Sequence, residues 1–355
     1  MEAALHFITS YMLPFIFVLG LLIFIHELGH FLLAKLVGIR VERFSLGFPP
    51  RLIGKKIGDT DYCISAVPFG GYVKMSGMID ESMDADSIKG EPYEFMSKPI
   101  PVRALVIAAG PIFNILLAIV IFAGAFFIVG VAEPVGPVVG YVKENTPAQA
   151  LGLQEGDIIR TIDGKSVTTW DELIGMVHPS ADKELHIEWE RNGELYSGDV
   201  TPEKDEIQGV ALIGFSPKTQ IRSAGIFESI GLGAVRCWEM TKLLGRSLKL
   251  LFTGAVAVRD GLAGPVRIAQ MAGETAKSGF GSLLMFAAFL SLNLGLINIL
   301  PLPVLDGGHL LLLGVEAGMR KPLSIKVRMA VQQVGMVILL ALMLFVIVND
   351  VMNIL

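Results

Sequence analysis

Four long apolar runs divide this chain, and the segments between them differ sharply in pattern. The runs cover roughly Leu13 to Val37, Ala104 to Val131, Leu283 to Leu300 and Met329 to Val348. Each approaches the ~20 residues that cross a bilayer as a helix. The first lacks the basic leader of a signal peptide, since residues 1–11 hold no Lys or Arg, so it reads as a membrane span. Between the first two runs, Lys35 to Arg103 is polar and loop-like. Within it Tyr62 to Val67 predicts a strand, and Pro68 to Val73 a turn entering another short strand. Asp80 to Asp86 forms an acidic patch.

After the second run the period changes. From about Glu133 to Lys218 the chain alternates in short strands: Val138–Val142, Asp157–Ile162, Leu185–Glu190, Leu195–Thr201 and Val210–Phe215. Asp163-Gly164 and Asn192-Gly193 are hairpin turn signals. This is one small β-rich domain. From Ile226 to Val258, Arg236, Glu239, Lys242, Arg246 and Lys249 recur every three or four residues and so line one helical face. Such a helix lies on a membrane surface or packs on protein.

The expected architecture is therefore a polytopic α-helical membrane protein with an inserted β-rich domain. It divides into an N-terminal membrane part (1–132), the β-rich domain (133–218), an amphipathic linker (219–282) and a C-terminal membrane part (283–355). Composition agrees: 52% of residues are hydrophobic and only 18% charged, against about 25% charged in a soluble protein. A net charge of −5 offers no basic excess for nucleic acid. Two cysteines, Cys63 and Cys237, make no disulfide framework. Basic residues set the orientation. Lys35, Arg40, Arg43, Arg51, Lys55 and Lys56 follow the first run, and Arg320, Lys321, Lys326 and Arg328 precede the last. Both loops should be cytoplasmic, with the β-rich domain on the other side.

The chemistry is concentrated in the first run, at His26-Glu27-Leu28-Gly29-His30. On a helix, His26 and His30 lie one turn apart on one face, so both imidazoles reach a single ion. Zn²⁺ suits that donor set. Glu27 is offset and can take a proton from a water without ligating the metal. Two imidazoles and a carboxylate in hydrocarbon need such a compensating interaction. A catalytic zinc needs a third protein ligand. Asp306 is the best candidate, after the prolines of Asn298-Ile299-Leu300-Pro301-Leu302-Pro303-Val304-Leu305-Asp306, with His309 a rival on chemistry alone. Asn293 and Asn298 are placed to donate to substrate backbone or an oxyanion. Asn114 reads as a polar contact between helices. An ion transporter and a membrane scaffold are the competing functions; neither explains a base set between two ligands.

These residues resemble the bacterial site-2 proteases, intramembrane zinc metalloproteases that include the regulator of sigma-E protease group. The resemblance rests on the HExxH motif paired with Asn298-x-x-Pro301-x-Pro303-x-Leu305-Asp306-Gly307, and covers nearly the whole chain. It implies that His26, His30 and Asp306 ligate Zn²⁺, that Glu27 is the base and that Asn293 and Asn298 lie near substrate. It also implies a membrane-reentrant β-loop around Tyr62 to Val73, in which Val67, Gly70, Gly71 and Tyr72 meet the substrate. The β-rich domain resembles a single PDZ domain, whose partner would be a peptide C-terminus. The implied substrates are single-pass membrane proteins in the bilayer, such as anti-sigma factors or remnant signal peptides. The implied location is the bacterial cytoplasmic (inner) membrane, with the PDZ-like domain extracytoplasmic.

Overall fold

The computed structural model describes residues 8–78, 89–205, 209–254 and 263–354. The acidic patch of residues 80–86 and the end of the amphipathic segment near 258 lie outside them. The chain forms two compact units, one of residues 1–123, 230–241 and 254–355, the other of 124–229 and 242–253.

The first unit is built on helices. Four are long and apolar enough to cross a membrane: Thr9–Leu36, Ile100–Val129, Phe280–Ile299 and Ile325–Asp350. They coincide with the four runs seen in the sequence. Regular α-helix in the first covers Leu13–Leu36 (α1) and in the second Ile100–Val129 (α2). These helices are apolar around most of their circumference, so the outward faces leave large side chains such as Val120, Ile128, Val337 and Leu344 uncovered by protein. Hydrocarbon is the solvent that fits such a surface. The inward faces use small residues. A Cβ on Gly29 would lie 2.5 Å from the carbonyl oxygen of Ala109, so α1 and α2 touch backbone to backbone.

Between α1 and α2 the chain is not loop. Strands β1 (Val41–Ile57) and β2 (Thr60–Met75) pair antiparallel over most of their length. Both bend back on themselves. Residues 41–46 pair with 71–75 on one side and with 61–64 on the other, and 53–57 pair with 60–64. The result is four lanes in the order 71–75, 41–46, 60–65, 51–57. The expectation of a polar loop is corrected here. Gly47, Gly54, Gly58 and the Pro49-Pro50 pair break the alternation that marks strands. They do so because they supply the bends.

A buried ion triad closes this unit. Glu316, fully buried in α8 (Asp306–Met319), pairs with Arg328 of α9 (Ile325–Ile354) and, at 3.2 Å, with Arg103 in the first turn of α2. It also accepts the Leu323 N–H at 2.6 Å. Burial would raise the Glu316 pKa, but that N–H and the two guanidiniums outweigh it and hold the carboxyl below its ordinary value.

The second unit contains a five-strand sheet in the order β10 (Phe215–Arg222), β3 (Val131–Val142), β4 (Ile158–Ile162), β6 (Leu185–Arg191), β7 (Glu194–Val200). A two-residue strand, β5 (Lys165–Ser166), pairs with β4, and a separate ribbon joins β8 (Glu203–Asp205) to β9 (Val210–Leu212). Both hairpin signals hold. Asp163 and Gly164 have φ of 50° and 73°, and Asn192 and Gly193 54° and 86°, the double positive φ of a tight turn. A short helix, α4 (Trp170–Val177), starts with a capping box between Thr169 and Glu172. Val139, Ile159, Ile162, Leu173, Ile187 and Trp189 form the core.

Buried Asp157 receives both Arg191 Nε (2.7 Å) and Nη2 (2.8 Å), and accepts the Gln154 N–H at 2.8 Å. Removing one half of such a pair strands the other. Asp157→Ala should destabilise this unit by about 3 kcal/mol, seen as a lowered melting transition of the full chain. An unchanged transition would mean that the pair carries no net stability.

Candidate metal centre

Three side chains from two distant segments meet inside the first unit. His26 and His30 project from one face of α1 and are 9% and 7% exposed. Asp306 arrives through a break. The third spanning helix, α7, covers Phe280–Ile299; the backbone then runs irregularly to Leu305, with Val304 at φ 77°. The double glycine that follows is required by space. A Cβ on Gly307 would sit 2.1 Å from the Leu300 carbonyl oxygen, and one on Gly308 2.2 Å from that of Leu302. This tight return aims Asp306, the first residue of α8, at α1.

The donor atoms form a small triangle. His26 Nε2 lies 3.1 Å from Asp306 Oδ2, His30 Nε2 3.4 Å from Asp306 Oδ1, and the two Nε2 atoms 3.2 Å apart. Ligands bound tetrahedrally at about 2.0–2.1 Å stand roughly 3.3 Å from one another. The two histidines face different Asp306 oxygens, so the two imidazoles and either oxygen offer three donors at a spacing suited to zinc. Among the described residues this is the one set of three or more His, Cys, Asp or Glu side chains arranged to hold a metal. His309 also lines the cavity, but its Nε2 stands 3.2 Å from the Gln332 side chain.

Neighbouring groups orient the imidazoles. His30 Nδ1 donates to the Val106 carbonyl at 2.9 Å, which leaves the Nε2 lone pair facing the centre. The Asn114 amide lies 3.2 Å from His26 Nδ1. The two ends of an amide are isosteric. With its oxygen turned inward, Asn114 accepts Nδ1–H and frees the His26 Nε2 lone pair for a metal. That orientation would give Asn114 a role at His26 as well as a contact between helices. Asn114→Ala should weaken zinc retention about 10–100-fold, measured by competition with a chromogenic chelator. Unaltered retention would show that Asn114 does not orient His26.

A cavity of about 430 Å³ opens at the triangle. Glu27, Gly70, Gly71, Tyr72 and Asn298 line it. The Asn298 amide lies 3.4 Å from His26 Nε2. Gly71 lets the sheet lie against α1, since a Cβ there would meet Ile23 Cγ2 at 2.8 Å and the Ser45 carbonyl at 2.9 Å. At Gly70 it would strike the Phe48 ring, which is itself stacked on Tyr72. Two of the residues singled out in the sequence are not brought to the cavity. Asn293 donates to the Phe289 carbonyl of its own helix at 2.8 Å, and Val67 pairs with Phe48 farther along the sheet. Sequence reasoning missed Val106 and Phe48, since a carbonyl and a stacking partner have no motif of their own.

The model of peptidase family M50 matches residues 14–342. The chain belongs to this family. The M50 protein is similar to a protein of Clostridium acetobutylicum described as a zinc metalloprotease, with 38% identity over 94% of each chain. It is also similar to one so described from Rhizobium meliloti, with 36% identity over 96% of each. The regulator of sigma-W protease RasP of Bacillus subtilis is 31% identical over 96% of this chain and 97% of its own. The M50 protein is accordingly a zinc-dependent metalloendopeptidase of the site-2 protease type. Among solved structures, the PDZ domain of an SdrC-like protein from Listeria monocytogenes matches 23% of this chain and 86% of its own at 25% identity, TM-score 0.22. Its counterpart from Listeria innocua matches 24% and 96% at 26% identity, TM-score 0.22.

Proposed function

We propose that this M50 protease hydrolyses peptide bonds inside the transmembrane segments of single-pass membrane proteins. The observation that carries the reading is the depth of the centre. Two ligands and the base belong to a helix that is apolar and long enough to span. The cavity beside them is bounded by an edge lane of a sheet.

In this reading His26, His30 and Asp306 hold the zinc. Zinc held there would polarise the scissile carbonyl and acidify a water. Glu27 takes the proton from that water and returns it to the leaving amine. The Asn298 amide donates to the oxygen that gains negative charge. A substrate helix must first surrender its internal hydrogen bonds, which hydrocarbon cannot replace. The lane 71–75 pairs on one side with 41–46 and has no second β partner among the described residues. Strand addition at that edge would replace the lost bonds and extend the substrate across the centre.

The name of the Bacillus subtilis relative, a regulator of sigma-W protease, supports membrane-anchored regulators such as anti-sigma factors as one substrate class. Remnant signal peptides are the second. The β-rich unit is read as a PDZ-like domain outside the bacterial cytoplasmic membrane. There it receives a free C-terminus or turns away bulky extracytoplasmic domains. The test is cleavage of a tagged single-pass segment by the purified protein, with the cut mapped by mass spectrometry. The expected cut lies within the apolar segment; cuts confined to its soluble flanks would overturn the proposal. Tyr72→Pro should reduce cleavage at least tenfold, with zinc content unchanged, and undiminished cleavage would sink strand addition.

A further inference from the structure

A second cavity, of about 580 Å³, lies apart from the metal centre. It sits at the first turn of α2, against the end of α8 and the short link to α9. Two spanning helices begin there, so on the membrane reading its place is the bilayer boundary. Its apolar lining includes Met96, Ile100 and Pro322, and its charged lining is Arg103, Arg320 and Lys321 together with Glu316.

The charge does not balance. Glu316 is already shared by Arg103 and Arg328. Among the described residues Arg320 and Lys321, both exposed, have no carboxylate partner. Three cations thus line the cavity with one carboxylate that is already shared, while the positive end of the α2 macrodipole is offset by the C-terminal end of α8. The buried guanidiniums are also incompletely satisfied. Arg103 is 5% exposed; its Nη1 reaches Glu316 and the Met96 sulfur, yet its Nε has no acceptor, nor does Arg328 Nε. A buried charged donor without an acceptor is costly. Finally, Arg320 takes the left-handed position that ends α8, with φ 52°. Glycine normally serves there, and a side chain in that conformation costs about 1 kcal/mol.

We propose that this cavity binds a phosphate group, as the headgroup of an anionic phospholipid. Arg320 and Lys321 hold its oxygens. Arg103 supplies the buried charge, and the Met96, Ile100 and Pro322 lining takes the first methylenes of the lipid. A phosphodiester is the chemistry shared by lipid and soluble sources, and position at a bilayer boundary selects the lipid.

The experiment is native mass spectrometry of the full chain, released from nanodiscs of phosphatidylglycerol or of phosphatidylcholine. Wild type should retain phosphatidylglycerol in preference to phosphatidylcholine. The doubly substituted Arg320→Ala, Lys321→Ala protein should retain it about thirtyfold less, two boundary charges having been removed. Lys55→Ala with Lys56→Ala, an exposed basic pair elsewhere, is the control and should match wild type. Zinc content and melting temperature should be the same in all three. Equal retention by the two double variants, or equal retention of the two lipids by wild type, would overturn the proposal. Adding inorganic phosphate separates the sources. No displacement of the lipid assigns the cavity to the headgroup; complete displacement overturns the lipid assignment.

Discussion

Replacing Glu27 with Gln is expected to reduce cleavage by about 10²–10⁴-fold while the protein keeps its zinc. The substitution preserves side-chain shape and removes only the ability to hold a proton. Glu27 faces the cavity from the turn of α1 that carries both imidazoles, but it is not in the triangle of donors. Zinc retention should therefore be unaffected, since His26, His30 and Asp306 are untouched. The measurement pairs zinc content with single-turnover cleavage of a tagged single-pass segment. Loss of zinc along with activity would make Glu27 a structural member of the centre. Full activity would put the proton transfer elsewhere. A chelator applied to wild type should abolish cleavage, and stoichiometric Zn²⁺ should restore it, whereas added zinc should not rescue Glu27→Gln.

How much of this could be read in advance depended on whether a feature was local in sequence. The four spans and both I′-like hairpin turns were legible because hydrophobic runs and Asn-Gly or Asp-Gly pairs act within a few residues. The His26 and His30 pairing was legible because four residues are one helical turn. Asp306, 276 positions beyond His30, was legible as the best third ligand through its breaker-rich motif and the family resemblance, while chemistry alone left His309 a rival. In the structure Asp306, which begins α8 at the tight Gly307-Gly308 return, lies within reach of both imidazoles, and His309 Nε2 lies 3.2 Å from the Gln332 side chain. The strand pair between α1 and α2 was legible only in part, at Tyr62 to Val67, which reads as strand and lies in β2. Its glycines and prolines look like loop, yet they let two strands bend into four lanes and bring Gly71 against α1. Helix α4 was missed although Thr169 and Glu172 carry a capping-box signature, because strands dominate its surroundings.

Gly110→Ala should remove the zinc as well as the activity, although the change is one methyl group far from the HExxH motif in sequence. A Cβ at residue 110 would lie 2.3 Å from His30 Nε2, 2.7 Å from His30 Cε1 and 2.8 Å from His26 Cε1. These contacts are too short for any carbon, so the rings must move, and their open side is the cavity at the triangle. His30 is tethered through Nδ1 to the Val106 carbonyl on the same helix. The backbones touch where Gly29 meets the Ala109 carbonyl at the next position, so any parting of the helices that made room at residue 110 would break that packing. One or both imidazoles must turn, and displacing a ligand nitrogen by about 1 Å costs on the order of 10²-fold in function. Zinc affinity and cleavage should fall together by at least that factor. Gly124→Ala is the control within α2, since nothing lies within 4 Å of a Cβ there. It should bind zinc and cleave like wild type. If Gly110→Ala also retained stoichiometric zinc and full activity, the close packing of α2 on the two imidazoles could not be what fixes the centre. The contrast with Glu27→Gln gives the test its force. One variant should lose the proton transfer and keep the metal, and the other should lose the metal by pressure from a neighbouring backbone.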